Sequence, residues 1–538
     1  MWLQLAAMEA VMKVAIFDTT LRDGTQGEGV NVSVKDKLKI ARKLDTFGVD
    51  YIEGGWPFSN PKDTEFFQKA TDEKWNGKIC AFGSTCRVGL KAEDDVNLQA
   101  LVSSKAPAAA IFGKTWDYQV AKVLGTTLEE NLRMIYESVV FLVSKNIEVI
   151  FDAEHFFDGY KDNSEYALMC LEKAQEAGAS WLVLCDTNGG TLPHEVFEIV
   201  QVCKERFTTP LGIHAHNDCE LAVANSIAAV KAGATMVHGT FNGVGERCGN
   251  ANLCSVIPNL ELKMGYETGA RKNLKNLTET ARYVAEVINI AVLNHQSFVG
   301  HSAFTHKGGM HVSAVMKHSK TYEHISPDDV GNDRRILMSE LAGISNLTHK
   351  LEEMGIKLTD KEMLKNIVEQ VKELEYKGYQ FEGAEASLEL LFYKIVGLYK
   401  EHFHLESFKV LVEKKGEEDY YSEAVIKLRI GEEIVHTAAE GNGPVNALDN
   451  ALRKALDKTY PCINEMYLSD YKVRVLEGNQ ATAAKVRVLI ESKNANDNWS
   501  TVGVSSNIIE ASWEALLDSM DYILLKKHLK ELNKEQGN

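Results

Sequence analysis

The chain has 538 residues, 45% of them apolar and 25% charged, a balance that excludes a disordered chain or a membrane bundle. At about 150 residues per domain this length corresponds to three or four domains, although an α/β barrel alone can use about 250. A formal charge of -17 excludes a general role on nucleic acid, which requires a basic footprint, so an anionic ligand needs a local basic pocket.

Residues 1–8 are apolar, but no Lys or Arg precedes them and no long apolar stretch follows. Residues 1–13 are therefore expected to be a non-essential lead-in and not a signal peptide, with Met12 an alternative start. No window approaches the roughly 18 apolar residues of a membrane span. Nine cysteines without any Cys-x-x-Cys are expected to be reduced thiols of a cytoplasmic protein.

From residue 14 to 240 one theme repeats: a short apolar run, a loop, an amphipathic helix, a glycine and another apolar run. The runs at 14–18, 51–54, 79–83, 108–112, 149–153, 181–186, 211–214 and 236–240 are eight predicted strands. Such strands imply a parallel sheet covered on both faces. Eight of them suit a closed (β/α)8 TIM barrel spanning 14–272; a doubly wound open sheet also explains the alternation. Ser33 is predicted to cap a helix that carries Ile40, Leu44 and Phe47 on one side and ends at Gly48. Thr127 and Glu130 form a capping box, and Pro193 suits a first helical turn.

Residues 273–405 read as a helical section, with helices near 276–294, 327–341, 359–376 and 384–399, the third opened by a Thr359/Glu362 capping box. A glycine- and histidine-bearing stretch, 301–311, interrupts them. From about 406 the period changes. Strands at 408–412, 424–430 and 434–438, a loop at 440–444 and a helix at 445–456 are followed by a second copy: 471–476, 484–490, 500–504, 505–507 and 508–520. Setting Thr437 against Thr501 aligns the two at an offset of 64 residues. A duplicated βββα unit over 406–538 can bind a small molecule between its copies, or simply pack or dimerise.

The loops after the strands of an α/β barrel open on one face, so residues distant in sequence meet there. The first strand exit carries Arg22 and Asp23, the fifth Glu154, the sixth Thr187, the seventh His214 and His216, and the eighth Asn250. Alternate residues of a strand share a face, so His214 and His216 can offer two imidazoles to one ion. One Asp, two His and an Asn oxygen suit a divalent cation, zinc or else magnesium or manganese, with positions left for substrate. A 2-oxo acid is a chelating occupant; Arg22 is placed to stabilise an oxyanion and Thr187 to hydrogen-bond a carboxylate, unless Thr187 merely caps its loop.

The strings Asp18-Thr19-Thr20-Leu21-Arg22-Asp23-Gly24-Thr25-Gln26, His214-Ala215-His216-Asn217-Asp218 and Gly243-Val244-Gly245-Glu246-Arg247-Cys248-Gly249-Asn250 resemble the signatures of the 2-isopropylmalate, homocitrate and citramalate synthase family. Three further strings, 51–57, 152–160 and 306–311, are most similar to its citramalate branch. The resemblance implies a metal-dependent Claisen condensation of acetyl-CoA with a 2-oxo acid, pyruvate in that branch and 2-oxoisovalerate in the isopropylmalate alternative, with hydrolysis of the new thioester. It implies Asp23, His214 and His216 as metal ligands, Asn250 as a weaker or water-linked one, Arg22 and Thr187 as oxo-acid contacts, and Gln26 and Glu53 as pocket residues. It further implies His311, delivered in a homodimer from the partner's helical section, as a catalytic residue, with Tyr322 its companion. Removing a proton from a thioester methyl group needs a base, and Glu154, acting with His311, is the expected one, unless it is a salt-bridged loop carboxylate. The C-terminal domain is implied to bind the end-product amino acid, isoleucine. A non-catalytic amino-acid sensor is the rival class; the presence of every ligand stands against it.

Overall fold

The computed structural model describes residues 12–338, 343–414, 416, 420–476 and 484–536, the side chains of 532–536 excepted. The lead-in expected at 1–13 lies, up to residue 11, outside them. Two compact units form: Met1–Phe304 with Glu323–Arg334, and Thr305–Tyr322 with Arg335–Asn538.

The first unit is a closed eight-stranded barrel of β1 (Ala15–Asp18), β2 (Tyr51–Gly55), β3 (Lys78–Ser84), β4 (Ala108–Lys114), β5 (Glu148–Glu154), β6 (Trp181–Asp186), β7 (Leu211–Ala215) and β8 (Met236–Gly239). β8 pairs in parallel with β1, Ala15 opposite Met236 and Asp18 opposite Gly239, which removes the open-sheet alternative. The helix Val34–Phe47 starts where Ser33 accepts a hydrogen bond from the Asp36 N–H, and ends at Gly48 with φ 103°. Thr127 caps Leu128–Ser144 and Pro193 opens Pro193–Arg206, as their sequences imply.

Strand alternation sorts the side chains into two cores. Ile16, Ile52, Phe151, Leu184 and Ile213 face outward to the helices. Phe17, Tyr51, Cys80, Phe82, Ala110, Ile150, Val183, Cys185 and Met236 fill the interior. Counting on by twos from these interior residues gives Glu53, Phe112, Asp152, Glu154 and His238, so the inward positions nearest the strands' C-terminal ends are where polar groups enter the barrel.

The helical section departs from expectation at four places. The first helix is Leu277–Val287; Asn289, at φ 58°, lies just beyond its end. The helix expected at 327–341 is a single turn, Pro327–Val330, because Gly331 adopts a left-handed φ of 66° immediately after it; residues 339–341 lie outside the described ones. Helix Lys361–Tyr376 is capped by Asp360, which accepts from the Glu362 and Met363 N–H groups, in place of the expected Thr359 box. A helix at Ile344–Glu353 was not anticipated. The second unit also contains a parallel pair, β9 (Thr305–His306) with β10 (Arg335–Ile336).

The duplication is present as two three-stranded antiparallel sheets, β11 (His404–Glu413), β12 (Tyr421–Ile430) and β13 (Glu433–Gly441), then β14 (Tyr467–Val475), β15 (Val486–Lys493) and β16 (Asn498–Ser505). Each is followed by a helix, Pro444–Leu456 and Ile508–Gln536. Thr437 donates to the Ala451 carbonyl at 3.0 Å and Thr501 to the Ala515 carbonyl at 2.7 Å, equivalent bonds at the offset read from the sequence.

Gly239 links the barrel to its mouth. A Cβ there would stand 2.4 Å from the Ala251 carbonyl oxygen and 2.9 Å from Leu253 Cδ2, displacing the segment that carries Asn250. Gly239→Ala is expected to cost about 1–3 kcal/mol in chemical unfolding; an unchanged midpoint would contradict this packing.

Candidate active site

The turn after β1 is built from its own hydroxyls and carboxylates. Asp18, buried on the outer face, accepts from the Thr20 N–H at 2.9 Å and the Thr20 hydroxyl at 2.8 Å. The Thr20 oxygen in turn accepts from the Phe241 N–H at 2.9 Å, joining the first and eighth loops. Burial pushes the Asp18 carboxyl up to about 7, against the pull of the Thr20 bonds.

Arg22 and Asp23 leave this turn together. The Arg22 guanidinium reaches Glu53 at 2.7 Å and Asp23 at 3.2 Å, and lies 3.8 Å from the centroid of the Phe82 ring. Glu53 is fully buried, accepts also from the Thr19 hydroxyl, and holds Arg22 from beneath, away from the lining of the cavity. Burial alone would raise the Asp23 carboxyl; Arg22, His214 and His216 overcome it and hold that group well below the ordinary carboxylate range.

His214 and His216 point the same way from the end of β7. The Asp23 carboxylate lies 3.3 Å from His214 Nε2, which lies 3.3 Å from His216 Nε2. Two ligands each about 2.1 Å from one ion, at tetrahedral or octahedral angles, stand about 3.0–3.4 Å apart, so the spacing fits a shared cation. The three residues are buried, and their ligand atoms all lie within 4.8 Å of one another. Burial, then His214, pushes the His216 imidazole down to about 3, leaving it neutral and able to ligate. Asn250 pairs with His216 through an isolated backbone bridge; its side-chain Oδ1 is buried without a hydrogen-bond partner among the described residues. That oxygen is available to an ion or its water.

A cavity of about 250 Å³ opens above this group, lined by Arg22, Asp23, Gln26, Glu154, Thr187, His214 and His216 among the expected residues. Glu154 is ion-paired with Lys114. Thr187 Oγ1 accepts from the His155 N–H at 2.9 Å, which leaves its own hydrogen to donate into the cavity. Arg247 ties the sixth, seventh and eighth loops, donating to Asp218 at 2.8 and 2.9 Å and to the Thr187 carbonyl at 2.7 Å.

Several participants were not singled out from the sequence. Trp56, Phe82 and Phe112 form an aromatic wall, with Phe82 and Phe112 stacked at 5.5 Å. Asp152 enters the cavity one layer below Glu154, and burial pushes its carboxyl up to about 7. His238 lies under His214. The available signal was a polar side chain inside an apolar run, Asp152 in β5 and His238 in β8. His311 and Tyr322 belong to the second unit, where the helix Gly309–Lys317 presents an exposed His311 whose ring stacks on Tyr322 at 4.1 Å.

Residues 13–284 match the HMGL-like family, 298–378 the homocitrate synthase post-HMGL domain-like family, and 382–524 the LeuA allosteric (dimerisation) domain. The (R)-citramalate synthase of Aquifex aeolicus is 57% identical over 96% of this chain and 98% of its own. The chain belongs to the (R)-citramalate synthase family. A second member, from Geobacter sulfurreducens, is 53% identical over 95% of this chain and 98% of its own. A probable 2-isopropylmalate synthase of Methanopyrus kandleri is more distant, 33% identical over 96% and 99%. The citramalate synthase family thus accounts for the barrel, the middle section and the duplicated domain together.

Because His214 and His216 share one face of β7, His216→Ala is expected to lower bound divalent metal at least tenfold. Metal analysis after gel filtration checks this; full retention would contradict the ligand assignment.

Proposed function

We propose that the barrel site condenses acetyl-CoA with pyruvate and hydrolyses the product to (R)-2-methylmalate and CoA. The observation that carries this reading is the convergence of Asp23, His214 and His216 beneath a cavity that also holds Arg22. Asp23, His214 and His216, with Asn250 as a weaker or water-linked ligand, would hold a divalent cation, which would supply Lewis acidity toward the carbonyl of a 2-oxo acid. Every other element of the reaction belongs to side chains.

Arg22 is held in place by Glu53 below and the Phe82 ring alongside, so its guanidinium stabilises charge growing on the former carbonyl oxygen without first having to reorganise. Thr187 donates its free hydroxyl hydrogen to the oxo-acid carboxylate, and Gln26 bounds the cavity. The aromatic wall of Trp56, Phe82 and Phe112 bounds the cavity on its apolar side. Glu154 removes the methyl proton of acetyl-CoA, with Lys114 as its fixed counter-charge. His311 and Tyr322, contributed by the partner in a homodimer, complete proton transfer. The duplicated domain binds isoleucine as effector, and the enzyme works in the cytoplasm; among the described residues no helix is long and apolar enough to cross a membrane.

Thiol release from acetyl-CoA, compared for pyruvate, 2-oxoisovalerate and 2-oxoglutarate, tests the substrate. Pyruvate is expected to be fastest and chelator to stop it; preference for 2-oxoisovalerate would move the chain to the isopropylmalate reaction. Arg22→Lys loses the planar fork shared by Glu53 and Asp23, and kcat is expected to fall about 100-fold while the KM for acetyl-CoA changes little. Equal losses in both would contradict a transition-state role.

A further inference from the structure

A metal-bound imidazole is oriented by what its second nitrogen meets. His214 turns Nε2 toward Asp23 and His216, and Nδ1 toward His238 Nδ1 at 3.4 Å. The register of the barrel sets up this meeting: His214 is opposite His238 across β7 and β8, and His238 is opposite Phe17 across β8 and β1. The His238 ring lies flat on Phe17, with centroids 3.9 Å apart and planes 12° apart, and the residue is 1% exposed. Its ring plane is therefore fixed before any ligand arrives.

A neutral imidazole carries one N–H, so of two facing Nδ1 atoms one donates and the other accepts. His214 can ligate through Nε2 only when its proton is on Nδ1. We propose that His238 is a positioning residue for the metal site, its Nδ1 accepting the His214 Nδ1–H and thereby holding His214 in the tautomer and orientation that present Nε2 to the cation. This rests on the reading of Asp23, His214 and His216 as metal ligands. Asp152 Oδ1, 4.0 Å from His238 Nδ1, is too distant to take a hydrogen bond from it, so that nitrogen is left to His214. His238 Nε2 then carries the proton and has no partner among the described residues, a cost that the bond from His214 to the cation must exceed.

The test is the affinity of the metal-stripped full-length protein for Zn2+ and for Mn2+, measured by competition with a chromophoric chelator and accompanied by thermal melting of each apo form. His238→Phe keeps the ring stack on Phe17 and removes the acceptor; His238→Asn places a carbonyl oxygen near the position of Nδ1. Binding is expected to weaken about 10–100-fold in His238→Phe and to stay within a few-fold of wild type in His238→Asn. Wild-type affinity in His238→Phe would overturn the proposal, as would a His238→Asn protein that binds as weakly as His238→Phe. Should the phenyl variant fail to fold, His238→Leu makes the same comparison. His216→Ala, measured alongside, separates the two levels: wild-type binding in that variant would remove the ligand assignment itself.

Discussion

The site depends on a charge imbalance buried at the mouth of the barrel. One guanidinium, Arg22, lies between two carboxylates, those of Asp23 and Glu53, and the imidazole of His216, next to His214, is held neutral. Taking such ions out of water costs several kcal/mol each unless the geometry compensates. Arg22 compensates fully for one acid and shares itself with the other. The remaining negative charge faces two imidazole nitrogens, a surplus that a divalent cation would neutralise while using the same atoms as ligands. The electrostatics and the ligand geometry thus call for the same occupant.

Barrel architecture makes that surplus affordable. Alternation along β5, β7 and β8 brings Asp152, His214 and His238 inward at the layer just above an apolar plug of Phe17, Ile150, Val183 and Met236. The plug excludes water from below, so polar groups above it interact in a poorly screened medium. Loops that would otherwise wander are pinned: Thr20 bonds the eighth loop to the first, and Arg247 clamps three neighbouring loops with its guanidinium. Rigid strands aim the side chains, and the loops need only preserve that aim.

What could be read from residues alone follows the same division. His214 and His216 were legible because a two-residue period at a strand end has one meaning whatever the rest of the barrel does. The eight strands and their helix caps were legible for a similar reason, since local chemistry at Ser33, Gly48 and Thr127 decides them. Glu53 and Lys114 were not read in their observed roles. Glu53 supports Arg22 from an adjacent strand and Lys114 pairs with Glu154 across β4 and β5, relations set by inter-strand register. His238 was hidden in the same way, because nothing near it in sequence says that it faces His214. In the helical section, Gly331 outweighed a favourable helical pattern by taking a left-handed conformation, which composition does not announce.

The most direct measurement of the central claim is an anomalous difference map from crystals of the protein grown with Mn2+. The account requires one strong peak about 2.0–2.3 Å from Asp23 Oδ2, His214 Nε2 and His216 Nε2 together. A peak elsewhere, or one bound by only one of the three at saturating metal, would contradict it.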